Sequence, residues 1–170
     1  MPAAASGGKV GSVAEKIKET PPPVGWKKAM ARMPLVLYRA RLGWLLGGRF
    51  LRLSHVGRKS GAVRHVVLEV TGREGDVVRI ASGYGRDSQW FRNITSNPEV
   101  TVQIGRRVYP ATARPLDPAR SGRAMTEYAA LHPRLARRLM NACGIRVDGT
   151  AADYEQVGRE LIPFVELVPR

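Results

Sequence analysis

Cysteine occurs once in the 170 residues, at Cys143. That excludes an intrachain disulfide and any multi-cysteine metal site. The three histidines, His55, His65 and His132, are scattered and form no HExxH pair, so no metal site is expected. Nothing beside Cys143 marks an activated thiolate, and it reads as a small buried residue. No run of about 18 uncharged apolar residues is present, which argues against a membrane-spanning helix. The opening MPAAASGGKVGS has no long apolar core of a secretory leader, so the chain reads as cytoplasmic. Ser-His-Asp spacing, paired catalytic carboxylates and a Walker loop are all missing. Gly83-Tyr84-Gly85 lacks the third glycine and long helix of a dinucleotide fingerprint. With so few acids, bases and nucleophiles on offer, demanding chemistry would have to reside in a bound cofactor.

The most pointed absence is of negative charge. Between Thr20 and Leu68 there is no Asp or Glu, while Lys27, Lys28, Arg32, Arg39, Arg41, Arg49, Arg52, Arg58, Lys59 and Arg64 all fall there. An ordinary soluble surface intersperses both signs. The formal net charge of +14 implies attraction to nucleic acid, an anionic lipid surface or an acidic small molecule. Aromatics are only 6% of the chain and are not interleaved with the basic run, which argues against a specific nucleic-acid partner.

What is present is globular: 44% hydrophobic and 25% charged residues, enough for one domain with a core. Residues 1–20 read as a flexible N-terminal tail and residues 21–170 as a single domain. Ser12 to Glu19 is compatible with two helical turns before Pro21-Pro22-Pro23. A helical pattern begins at Trp26, and Pro34 opens a second helix, Leu35 to Leu46, that Gly47-Gly48 ends. This helix either packs across an open end of a sheet or, with residues 26–46 as a whole, touches anionic membrane lipid.

The centre of the sequence is LRLSHVGRKSGAVRHVVL, Leu51 to Leu68. Two strand-like runs, Leu51 to Val56 and Val63 to Val70, flank the basic loop Gly57-Arg58-Lys59-Ser60-Gly61. Glycines at both ends would let amides turn toward an anion, with Arg58, Lys59 and Arg64 around it, so the expected ligand carries a phosphate or carboxylate. Gly72 to Gly75 reads as a second turn, leading to a strand from Val77 to Ser82. Asp87 is expected to cap a short helix, Ser88 to Ser96. Strands follow at Val100 to Ile104 and Arg107 to Arg114. Helices are expected over Ala119 to Leu131 behind Asp117-Pro118, over Arg134 to Ala142 after a break at His132-Pro133, and over Ala151 to Arg159; Leu161 to Val168 closes the chain as a strand. About six strands joined mostly by short turns suit a small, mainly antiparallel barrel with peripheral helices, an α+β architecture, better than a doubly wound sheet.

The run LGWLLGGRFLRLSHVGRKSGAVRHVVLEV, followed by IASGYGRDSQWFRNITSNPEVTVQIGRRV, closely resembles the deazaflavin-dependent nitroreductase family of actinobacterial oxidoreductases. The likeness covers about Leu42 to Arg114. Its strength lies in the ordered set GRKSG, ASGYG, W-x-x-N and NP-x-V; the last strand is looser and Met1 to Thr20 shows none. The resemblance implies a split β-barrel that binds coenzyme F-420, an 8-hydroxy-5-deazaflavin with a phosphate and an oligoglutamate tail, in preference to FMN. By matched motif position, it implies that Arg58, Lys59, Ser60, Gly61 and Arg64 hold the phosphate and tail. Val66, Val67 and Leu68 would line the deazaflavin ring, with Ser82, Gly83, Tyr84 and Gly85 as the facing loop and Trp90 and Asn93 supporting the pocket.

Trp90 reads equally well as a core aromatic, and Asn93 as a brace for the Asn97-Pro98 turn. Tyr84, an aromatic between glycines, is the catalytic candidate that touches ring or substrate. The implied reaction is hydride transfer from the reduced deazaflavin to an electron-poor hydrophobic acceptor, a quinone or a nitro compound, with Tyr84, His65 or solvent as proton source. Members that reduce nitroimidazoles or quinones carry an aromatic before a proline where this chain has His132-Pro133, which points away from nitroimidazoles. The competing function is a non-catalytic barrel of the same lineage that holds a flavin-like or fatty-acid ligand at the membrane. The sequence sets no oligomeric state.

Overall fold

A computed structural model describes residues 15–16 and 48–170. The N-terminal helices expected between Trp26 and Leu46, and nearly all of the expected tail, lie outside the described residues. The exception is Glu15–Lys16, which forms a short strand, β1, rather than helical turns. β1 pairs antiparallel with β7, Ile145–Arg146.

Six strands close into an antiparallel barrel. In chain order they are β2 (Phe50–Val56), β3 (Val63–Glu74), β4 (Val77–Ala81), β5 (Glu99–Ile104), β6 (Arg107–Pro115) and β8 (Phe164–Pro169), and around the barrel they run β2, β3, β4, β8, β6, β5. Alternation makes these strands: Leu51 and Leu53 of β2 and Val78 and Ile80 of β4 turn inward and are buried, while their neighbours are only partly covered. The register opposes Leu51 to Leu68 and Leu53 to Val66, so Val66, Leu68 and Val70 of β3 pack against the barrel core.

β3 is longer than its sequence suggests. Of the turn expected over Gly72 to Gly75, the first three residues are strand: β3 pairs with β2 through Glu69 and then with β4 as far as Glu74, shifting register between Val70 and Gly72. A bulge at that place bends one strand across two sides of the barrel. The turn itself sits at Gly75, with φ of 57°.

Helix α1 (Gln89–Ser96) packs Trp90, Phe91 and Ile94 into the barrel core beside Leu53, Val100 and Ala113. Each such apolar burial contributes about 1.5 to 3 kcal/mol. Its N-cap is Ser88, whose side chain makes no capping bond. Asp87, the expected cap, lies instead in a 3-10 turn, Gly85–Asp87, and pairs with Arg92.

A second core lies outside the barrel, where α2 (Pro118–Leu131), α3 (Pro133–Cys143) and α4 (Ala151–Glu160) surround Phe164 of β8. Asp117 caps α2 as expected, accepting from the Arg120 amide at 2.8 Å. Cys143 is buried in this core. No helix among the described residues is long and apolar enough to cross a membrane.

Candidate functional site

The hairpin tip between β2 and β3 is built by two glycines with different duties. A Cβ on Gly57 would lie 2.9 Å from Ser60 Oγ and 3.1 Å from Arg64 Nε, so only glycine lets the loop close this tightly. Gly61 takes φ of 66°, a conformation that side-chain-bearing residues rarely adopt.

The loop's amides do not all turn outward, as the sequence suggests. Gly57 N–H donates to the Ala62 carbonyl at 2.9 Å and Gly61 N–H to the Gly57 carbonyl at 2.8 Å. Ala62 N–H reaches Ser60 Oγ at 3.4 Å, and Arg58 N–H donates to Asn93 Oδ1 at 3.1 Å. Attraction for an anion therefore comes mainly from side chains.

Arg58 is pinned to α1: its Nη1 donates to Gln89 Oε1 at 3.1 Å and to Asn93 Oδ1 at 3.0 Å. Lys59 and Arg64 have no acidic partner among the described residues. Gly57, Arg58, Lys59, Ser60, Arg64, Gln89 and Asn93 together line a cavity of about 250 Å³. This is a cationic cradle with a rigid floor.

A second cavity, of about 510 Å³, shares Arg64, Gln89 and Asn93 with the first and adds His55, Val63, His65, Val66 and Trp90. Its lining mixes apolar side chains, Val63, Val66 and Trp90, with hydrogen-bonding groups, a composition that suits a planar heteroaromatic ring. The two cavities meet at Arg64 and Asn93.

The expected site residues divide into two groups. Arg58, Lys59, Ser60, Arg64, Val66, Trp90 and Asn93 come together at the two cavities, and Gly61 shapes the loop. Trp90 holds both expected positions, packed into the core edge-on to Phe91 and facing the larger cavity. The Asn93 side chain does not brace the Asn97 turn; it serves Arg58 and His55, while its backbone carbonyl accepts from Asn97.

The second group lies apart. Leu68 turns into the barrel core and Val67 stands opposite Arg52. Ser82 is buried, its hydroxyl donating to the Gly85 carbonyl at 2.7 Å. A Cβ on Gly83 would lie 3.2 Å from Cys143 Sγ, so that loop packs on α3. Tyr84 is 56% exposed and lines neither cavity.

Two groups at the site were not singled out in the sequence, Gln89 and His55. His55 is 4% exposed, and its place was readable, because Leu51, Leu53 and His55 alternate onto one face. Burial, followed by the charges of His65 and Arg64, holds its pKa below the usual 6.5, so the ring is neutral at pH 7. His65 sits on the opposite face, its Nδ1 2.9 Å from Ser54 Oγ and its Nε2 2.9 Å from Arg52 Nη2. Tyr128 is remote from the cavities: it is buried against Glu69, and burial pushes its hydroxyl up to about 12.

The F420H(2)-dependent quinone reductase Rv1261c of Mycobacterium tuberculosis (strain H37Rv) is 29% identical over 97 residues, which are 52% of this chain and 64% of that relative. The match thus spans less than two thirds of the relative's length. Among solved structures, the conserved hypothetical protein Rv2991 of Mycobacterium tuberculosis aligns with a TM-score of 0.52 at 15% identity, covering 77% of this chain and 79% of that one. The Atu2129 protein of Agrobacterium tumefaciens C58 aligns with a TM-score of 0.51 at 14% identity, covering 80% of this chain and 55% of that one. These two share the fold. Residues 31–143, more than half of the chain, match the family described as F420H(2)-dependent quinone reductase, and the chain belongs to that family.

Proposed function

We propose that this protein is an F-420-dependent oxidoreductase that reduces a hydrophobic, electron-poor acceptor of the quinone type. One observation carries the reading: a cradle with two cations that have no acidic partner among the described residues shares Arg64, Gln89 and Asn93 with a larger cavity lined in part by Val63, Val66 and Trp90. A ligand with an anionic arm and a planar ring fits that pair of spaces, and the donor set supports it. Lys59 and Arg64 supply charge, Ser60 a hydroxyl, and the glycine at 57 the close approach between them.

When bound, the reduced deazaflavin supplies a hydride for the acceptor. The chain supplies the rest. Arg58, tied to Gln89 and Asn93, fixes the loop against α1, so that Lys59 and Arg64 are held in place before any ligand arrives. Val63, Val66 and Trp90 offer the ring apolar contact in the larger cavity. Val67, Leu68 and the loop from Ser82 to Gly85 are not part of this wall. A role for Tyr84 would be toward the acceptor, which its exposed ring is free to meet. Contact of residues 26–46 with anionic lipid, and an acceptor drawn from that lipid, belong to the same proposal.

The test is direct. Reduced F-420 mixed with the purified protein binds at micromolar concentration and is reoxidised when a naphthoquinone is added. Lys59→Ala and Arg64→Ala each weaken coenzyme binding by about ten- to a hundredfold, since each removes a charge-assisted contact. Wild-type affinity in both variants, or no reoxidation with any quinone, would refute the reading.

A further inference from the structure

Positive charge also goes unmatched on helix α3. Its sequence, PRLARRLMNAC, holds three arginines and no Asp or Glu. Arg134, Arg137, Arg138 and Asn141 follow the i, i+3, i+4, i+7 spacing that puts side chains on one face of a helix, and all four are exposed. Ala136, Met140 and Cys143 are buried on the other side, in the second core. Among the described residues none of the three arginines has an acidic partner. Arginines elsewhere on the surface do: Arg107 meets Asp76, Arg120 meets Glu166 and Arg170 meets Glu99.

The helix gains nothing from this arrangement. Arg134 lies in its first turn, where the backbone dipole disfavours a cation, and Arg134 and Arg138 are a like-charge pair one turn apart. The charges therefore serve something outside the helix. A space of about 450 Å³ is lined by Pro133, Arg134, Arg137, Arg138 and Asn141. Every one of these residues belongs to α3, so the space is an open shelf along one helix, which suits an extended partner better than a single small anion. The approach to the shelf is apolar: Ala130, Leu131 and Pro133, at the corner between α2 and α3, are exposed, Leu131 to 74%. A row of guanidinium groups with an apolar edge matches the boundary of an anionic bilayer, where phosphates meet the arginines and the edge enters the start of the acyl region. A nucleic acid would find phosphate contacts on the same arginines but no aromatic side chain among them on which to stack a base.

We propose that the outer face of α3, with the corner of Ala130, Leu131 and Pro133, is a docking surface for the phosphate headgroups of an anionic lipid bilayer. The inference does not depend on the F-420 reading, and it concerns a different element from residues 26–46. Where that reading holds, docking also has a use. The loop that carries Tyr84 packs on the inner side of α3, where a Cβ on Gly83 would lie 3.5 Å from Leu139 Cδ1, so the helix that meets the lipid also supports the loop assigned to a hydrophobic acceptor.

The experiment sediments the full-length protein with vesicles of phosphatidylcholine alone and of phosphatidylcholine with about one third phosphatidylglycerol. The wild-type protein binds the anionic vesicles and not the neutral ones. Replacing the α3 arginines together, by Arg134→Gln, Arg137→Gln and Arg138→Gln, weakens that binding about a hundredfold, about fivefold for each charge. Glutamine forms helix about as well as arginine, so the variant keeps its circular dichroism. Leu131→Gln weakens binding about fivefold by removing the apolar edge. A control with the same loss of net charge, Arg107→Gln, Arg120→Gln and Arg170→Gln together, loses less than about threefold. Equal losses in the two triple variants overturn the proposal, because net charge would then explain the binding. Undiminished binding of the α3 variant overturns it and leaves residues 26–46 as the lipid contact. Failure of the wild-type protein to bind anionic vesicles overturns both lipid contacts, whereas the F-420 reading stands or falls on coenzyme binding measured without vesicles. An α3 variant that keeps its vesicle binding but loses affinity for F-420 or for duplex DNA assigns the arginines to that polyanion and overturns the proposal as well.

Discussion

Single residues at this site act through the protons they hold. The pKa of His55 is lower in the folded protein than the ordinary 6.5, chiefly because burial disfavours the charged ring and then because His65 and Arg64 stand near it. The unfolded chain therefore binds more protons than the folded one between the folded-state pKa and 6.5, and stability rises with pH through that window. Above about pH 6.5 no penalty remains; as pH falls below it, stability is lost until the folded-state value is reached. A melting series from pH 7.5 down to about 5 should show this slope in the wild-type protein and a flatter curve in His55→Gln. Parallel curves would mean that another group controls the acid limb. Asn93→Ala is expected to be worse than either, because it strips an acceptor from Arg58 and a partner from His55 together. Breaking a buried network in this way costs about 2 to 4 kcal/mol, read as a fall in the unfolding midpoint.

At the scale of elements, the tightest contact lies between α2 and α4. A Cβ on Gly158 would lie 2.3 Å from the Ser121 carbonyl and 2.8 Å from Gly122 Cα, and one on Gly122 would lie 2.9 Å from the Glu155 carbonyl. These obstacles are backbone atoms and cannot rotate away. Gly158→Ala gains about 1 kcal/mol of helix propensity but forces the helices apart, and overpacking of this kind costs about 1 to 3 kcal/mol or more. A net loss of about 2 kcal/mol is expected in denaturant titration; a stabilised variant would show that the crossing is looser than described. The elements themselves were legible wherever one pattern ruled: β2, β4, β5 and β6 appear as strand-like runs between turns, β8 as an apolar run, and α2 with its cap. The sequence misled where a residue had two meanings. Gly72 to Gly75 has turn composition, yet a bulge before Gly72 lets β3 run on to Glu74. Asp87 has the chemistry of a cap but pairs with Arg92 one step too early. Of the candidate site, the charged loop could be read from the chain alone and Trp90 only through the family resemblance. The commitment of the loop's amides could not, because it depends on Asn93 approaching from α1.

Across the whole molecule the charges are unevenly matched, and this shapes how an anionic ligand would arrive. Glu127 and Glu166 engage Arg79 and Arg120, and Glu69 engages Arg49, all on surfaces away from the hairpin tip. At the tip Lys59 and Arg64 have no such neighbours among the described residues, within a chain of net charge +14. A field of one sign over a concave site accelerates encounter with an oppositely charged ligand more than it slows departure. Departure is governed by short contacts inside the cavities, where screening by salt is weak. Raising the salt concentration from about 0.1 to 1 M shortens the screening length from about 10 to 3 Å. The association rate of F-420, followed by stopped-flow fluorescence, should then fall by at least about tenfold while the dissociation rate changes by less than about threefold. A loss of affinity carried mainly by faster dissociation would instead place the coenzyme's charges on exposed arginines, outside the cradle formed by Gly57, Lys59, Ser60 and Arg64.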